Sequence, residues 1–132
     1  MIAGTVFDFA DFDQVWPKVK DRAQRLIPQC DLEHAREREK SGAAVCLMND
    51  EGIAVLSLTA DDCGTIVAFV ILVVSTGRPG AFKRHEADML KLAKDMGAPR
   101  VAFRTDRVRA WERLLGPEWK RSADRFEREV CA

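Results

Sequence analysis

The sequence predicts an α/β domain of the α+β kind, a mixed sheet built in the order β-α-α-β-β-β-α-β-α-β. Three observations carry that reading. Thr65 to Val74 (TIVAFVILVV) is apolar on both faces and rich in β-branched residues, which marks a central strand covered on both sides. Two stretches, 12–27 and 82–96, repeat apolar residues at helical spacing. Between the first of these and the central strand, two short apolar runs are separated by turn residues, as in an antiparallel meander.

Taken in order, 2–9 (IAGTVFDF) forms a first strand. Asp11 or Asp13 caps a helix whose stripe is Phe12, Val15, Trp16, Val19, Ala23, Leu26 and Ile27. Pro17 sits near its start, where a missing N–H costs least, and Pro28 stops it. Asp31 caps a second, mostly charged helix from Leu32 to Lys40, ended by Ser41-Gly42. Ala43 to Met48 is a strand, 49–52 a turn, and Ile53 to Leu58 the returning strand. Asp61-Asp62-Cys63-Gly64 turns into the central strand.

A break at 75–80 leads to a helix from Ala81 to Met96, with Phe82, His85, Met89, Leu92, Ala93 and Met96 on one face and Gly97 closing it. Arg100 to Phe103 is a short strand. Asp106 caps a last helix carrying Val108, Trp111, Leu114 and Leu115, and 119–130 supplies one or two final strands.

Bulk properties bound the function. A chain of 132 residues is expected to form one domain, 1–132, able to fold without disulfide or metal. Lys plus Arg and Asp plus Glu both number 21, a balance that weighs against a protein built to hold nucleic acid. Nine cations from Arg100 to Arg128 face six acids from Asp106 to Glu129, which reads as a solvated, paired surface. Trp111 and Trp119 read as core residues. The four cysteines contain no C-x-x-C pair and fit a reducing, cytoplasmic setting. Nine apolar residues, Ile66 to Val74, are too few to span a bilayer, so no membrane partner is expected. Cys30 and His34 have metal-sharing spacing, but further ligands are lacking nearby and no metal is expected.

Three segments carry a resemblance to the GNAT N-acetyltransferase superfamily, and with the element order it covers nearly the whole chain. The strand Ile66 to Val74 runs into a glycine-containing loop and a helix. Met96-Gly97-Ala98 follows a helix and precedes the strand VAFR. AWERLLGPEW is similar to the family's late aromatic-to-glycine stretch, with Trp111, Leu115 and Gly116 on matching positions.

The resemblance implies a GNAT-like sheet and an acetyl-CoA site at Val73, Val74, Ser75, Thr76, Gly77, Arg78, Gly80, Ala81 and Phe82. Loop amides and the helix N-terminus would hold the pyrophosphate, with charge from Arg78 and Lys83. Gly77 and Gly80 do not reproduce the family's loop spacing. Where many family enzymes place a tyrosine as general acid stands Glu112, and the chain contains no tyrosine. Glu112 and His85 are the candidate proton carriers. Asp61, Asp62 and Glu51 are carboxylates that read first as solvated turns.

GAFKRHEADM, GAPRVAFRT, LGPEW and FEREV also resemble small GNAT-like proteins of tailed bacteriophages and prophages. That implies a non-catalytic, virion-associated or interaction module with other phage proteins as partners, in the host cytoplasm or the virion. The alternative is an acyl-CoA-dependent N-acetyltransferase acting on an unidentified amine.

Overall fold

The computed structural model describes residues 7–75 and 80–130. The expected first strand survives as β1 (Asp8–Ala10); its earlier residues, 2–6, lie outside the described ones, as does Cys131. Asp11 is the cap of α1 (Phe12–Leu26): its Oδ1 accepts from the Asp13 amide at 2.9 Å. Phe12, Val15, Val19 and Ala23 face inward, as their spacing requires. Pro17 departs from expectation. It is the sixth helical residue, past the first turn, so it has no N–H to offer the Asp13 carbonyl.

Helix α2 (Gln29–Lys40) begins three residues earlier than expected, with Pro28 at its N-cap and no side-chain cap. Asp31 therefore lies inside the first turn, where its charge still favours the positive end of the helix. Only Leu32 and Ala35 are buried. Arg36 Nε and Lys40 Nζ reach Asp13 at 2.8 and 2.5 Å and tie α2 to the start of α1.

Strands β2 (Val45–Asn49), β3 (Gly52–Ala60) and β4 (Ile66–Ser75) form the antiparallel meander. The first turn is closed by Asn49 Oδ1, which accepts from the Glu51 amide at 2.8 Å. Helix α3 (Ala81–Asp95) ends in a Schellman motif: the Ala98 amide bonds the Ala93 carbonyl at 2.9 Å, and Gly97 takes φ +84°. Strand β5 (Arg100–Arg104) follows. Helix α4 (Val108–Leu114) is capped at Arg107 instead of Asp106; the turn is held by Thr105 Oγ1, which accepts from the Arg107 amide at 3.0 Å. The tail supplies two strands, β6 (Lys120–Ser122) and β7 (Arg125–Glu129).

All seven strands make one sheet in the order β1-β2-β3-β4-β5-β7-β6. The only parallel pair among the described residues is β4 with β5. Two cores flank the sheet. Phe12, Val15, Val19, Leu32, Val55 and Leu72 fill the side covered by α1 and α2. Leu56, Val70, Leu92, Val101, Phe103, Trp119 and Phe126 fill the side covered by α3, with Trp111 packed partly buried against them. Burial of this kind returns about 25 cal/mol per Å² of apolar surface and is what holds the layers together.

Candidate functional site

The geometry of the site begins with a slip in register. Val55 of β3 pairs with Leu72, but the next residue, Leu56, pairs with Val70, so Ile71 is an extra residue in β4. Such a bulge bends a strand and turns its side chains over. Val70 accordingly faces the α3 core while Leu72 and Val74 face the α1/α2 core.

The parallel ladder between β4 and β5 runs from Val67↔Arg100 to Val70↔Phe103 and stops there, just before the bulge. From Ile71 to Ser75, β4 pairs only with β3. The sheet therefore forks, and among the described residues the β4 edge beyond Val70 has backbone groups with no strand partner on that side. Val73 lies beyond the fork and is 43% exposed, large for an aliphatic residue on a central strand; Val74 is buried.

Beyond β4 the chain reaches α3. Thr76, Gly77, Arg78 and Pro79 lie outside the described residues. Gly80 is the N-cap of α3 at φ +79°, a left-handed conformation that favours glycine. A Cβ there would also sit 3.2 Å from Arg84 Nη1. No side chain among the described residues caps the helix, and its first internal bond is from the Arg84 amide to the Gly80 carbonyl. The amides of Ala81, Phe82 and Lys83 are thus directed out of a 15-residue helix at its positive end. The Phe82 ring meets Trp111 at 5.0 Å and Trp119 at 6.0 Å, fixing the start of α3 against α4 and the sheet.

The charged candidates fall in three places. Glu51, in the β2–β3 turn, is brought to α3: it accepts from Arg84 Nη2 at 2.7 Å, and its Oε2 is 2.5 Å from His85 Nε2. Arg84, and then His85, hold the Glu51 carboxyl below its ordinary range against an opposing effect of burial. His85 also meets the edge of Phe7 at 5.8 Å. Glu112 is 44% exposed and receives Arg121 Nε at 2.7 Å. Asp61 sits in the β3–β4 turn, at the end of β4 away from the fork, and its Oδ1 accepts from the amides of Cys63 and Thr65. A shallow groove of about 490 Å³, lined by Lys94, Pro99, Arg100 and Glu129, opens at that same far end.

Cys30 is exposed, and no group of three metal-ligating side chains occurs among the described residues. No described helix is long and apolar enough to cross a membrane.

One cluster has no counterpart in the sequence reading. Glu86 of α3 is 9% exposed and takes Arg128 Nη1 at 2.6 Å and the Trp119 indole N–H at 3.2 Å. The signal was there in principle: Glu86 is three residues before Met89 and four after Phe82, on the inner face of the helix.

No protein-family model and no curated protein matches this chain. Solved structures do. A candidate GNAT-family acetyltransferase from Desulfovibrio desulfuricans is 16% identical, with TM-score 0.62, over 95% of this chain and 98% of that one. A GNAT-family acetyltransferase from Listeria monocytogenes is 10% identical, with TM-score 0.56, over 98% of each. N-acetylglutamate synthase from Neisseria gonorrhoeae, solved with coenzyme A and N-acetyl-glutamate, is 11% identical with TM-score 0.59; the match takes in 96% of this chain but only 35% of that larger one. At such identities the likeness is one of architecture, and the forked seven-stranded sheet of this chain has the fold of the GNAT acetyltransferases.

Proposed function

We propose that the chain transfers an acyl group from acyl-coenzyme A to an amine. The observation that carries this reading is the fork: β4 leaves β5 after Val70↔Phe103 and runs on, with one edge unpaired among the described residues, towards a helix N-capped by Gly80 with no side-chain cap bond among them. Those features suit a long, thin ligand with an apolar arm and a phosphate end. The unpaired β4 edge supplies hydrogen-bonding groups to an extended amide chain. The exposed Val73 offers apolar contact, and the α3 amides with Lys83 favour a pyrophosphate. Thr76, Gly77 and Arg78 belong to the proposed pyrophosphate loop with Ser75, Gly80 and Ala81. Glu51 does not oppose an anion there, because Arg84 and His85 already engage its charge.

Acyl-coenzyme A supplies an activated thioester. The amine nitrogen forms a bond to the thioester carbonyl carbon, the C–S bond breaks, one amine proton passes to a base and the thiolate leaves. A β4 amide at the fork would polarise the carbonyl. His85 remains the candidate for the proton, with Glu51 fixing its ring through the 2.5 Å contact. Transfer of labelled acetyl from acetyl-coenzyme A to a panel of small amines tests the reading. Label appearing on an amine supports it, and absence of transfer to every amine together with absence of cofactor binding removes it.

A second reading keeps the fold and drops the chemistry, as a phage interaction or virion module. The lack of any tyrosine, and the exposed, ion-paired Glu112 at the expected acid position, favour it. Its test is co-purification with virions.

A further inference from the structure

The α1/α2 side of the sheet is divided. The two helices pack mainly on β3 and β4. On β5 and β7, Val101, Phe103 and Phe126 face the α3 core, so alternation turns Arg100, Ala102 and Arg104, with Arg125, Glu127 and Glu129, to the other side. Arg104 and Arg125 are direct cross-strand partners there. Like charges directly opposite each other destabilise a sheet.

The charges around them answer this conflict for Arg125 but not for Arg104. Glu127 is shared: its Oε1 takes Arg100 at 3.2 Å and its Oε2 takes Arg125 at 3.3 Å. Arg125 also lies over the Phe69 ring at 5.7 Å. Arg104 is exposed and has no carboxylate paired with it among the described residues. It is also the first β5 residue past the fork, since Phe103 is the last to pair with β4. A local rule broken beside a candidate site is where function is to be sought.

Resting on the acyl-transfer reading, we propose that Arg104 and Arg125 bind an anionic group of the acyl acceptor on the α1/α2 side of the fork. The acceptor is therefore an amine that carries a carboxylate or a phosphate. Two guanidinium groups on adjacent strands can each give paired N–H donors to such a group, and an anion between them removes the repulsion that the empty sheet retains. Phe69 and Glu127 hold Arg125 in place; Arg104 is left to the ligand.

The test compares three amines of similar reach: β-alanine (carboxylate), O-phosphoethanolamine (phosphate) and ethanolamine (neither). Acetyl transfer by the wild-type chain is expected to favour one or both anionic amines over ethanolamine by at least about tenfold in kcat/KM, since 1.4 kcal/mol of charge-assisted binding is a factor of ten. Which of the two wins separates carboxylate from phosphate. In Arg104→Ala and Arg125→Ala the ratio should collapse towards one while acetyl-coenzyme A affinity stays at the wild-type value. Equal use of ethanolamine, or a ratio that survives both substitutions, overturns the proposal.

A second measurement needs no cofactor. The Nε–Hε NMR signals of Arg104 and Arg125 are followed during titration with glutarate and with inorganic phosphate at low ionic strength. Saturable shifts in the wild type, lost in the partner's alanine variant, support the site even if acetyl-coenzyme A does not bind and the acyl-transfer reading fails. No shift with either anion overturns it.

Discussion

Nε2 of His85 stands 2.5 Å from Oε2 of Glu51, joining the second turn of α3 to the β2–β3 turn 34 residues earlier. Arg84 holds the other carboxylate oxygen at 2.7 Å. Both contacts favour the charged carboxylate, which is why its proton affinity is depressed.

A depressed carboxylate contributes stability above its unfolded pKa and loses it as pH falls through the folded one. Glu51→Gln should therefore lower Tm clearly at pH 7, and the gap to wild type should close as pH drops below about 4.5, the ordinary value for this group. Thermal melts of both proteins from pH 3 to 8 check this. Asp13, held at about 2 by Arg36 and Lys40, follows the same sign, and its contribution is lost as pH falls from 3.8, its ordinary value, through about 2.

The Glu86–Arg128 pair pins α3 to β7 and carries the Trp119 indole with it. Arg128→Ala leaves a buried carboxylate with one good partner and should cost about 3 kcal/mol in urea unfolding. Glu86→Leu combined with Arg128→Met should recover most of that loss, since an apolar pair of similar volume avoids burying charge altogether.

Gly80 takes a left-handed conformation beside Arg84. Gly80→Ala should cost about 1–2 kcal/mol of stability and weaken acetyl-coenzyme A binding, because it shifts the first amides of α3. Equilibrium unfolding and calorimetry on the same variant read the two effects.

Glu112 is exposed and engaged by Arg121. Glu112→Gln should leave any acetyl-transfer rate within about threefold of wild type, well short of the 10²–10⁴ loss expected of a general acid. Steady-state rates of the two proteins decide it.

Periodicity made the helices legible: the stripe Phe12, Val15, Val19, Ala23 is the buried face of α1. Two of the caps were not. Asp31 and Asp106 are good cap residues by type, yet the chain starts α2 at Pro28 and α4 at Arg107, where local geometry outweighed side-chain preference. The central strand was legible as a strand, but its fork was not. In TIVAFVILVV every residue suits either face, so no break in alternation marks Ile71 as the extra one. The insertion of β7 between β5 and β6 depends on pairing distant in sequence, such as Phe103 with Phe126, which periodicity does not encode. Glu86 was passed over because a charged residue in a helix reads as solvated, and only the fold brings Arg128 and Trp119 to it.

Acyl-coenzyme A is proposed to enter the fork beyond Val70↔Phe103, and calorimetric titration with acetyl-coenzyme A measures that binding without any acceptor. One saturable site is expected, with a dissociation constant on the order of 1 µM to 1 mM, the usual range for enzyme substrates. In Val73→Glu, which puts a charge on the exposed wall of the fork, binding should weaken at least tenfold. Absence of binding heat at millimolar acetyl-coenzyme A, or binding that Val73→Glu leaves unchanged, would contradict it.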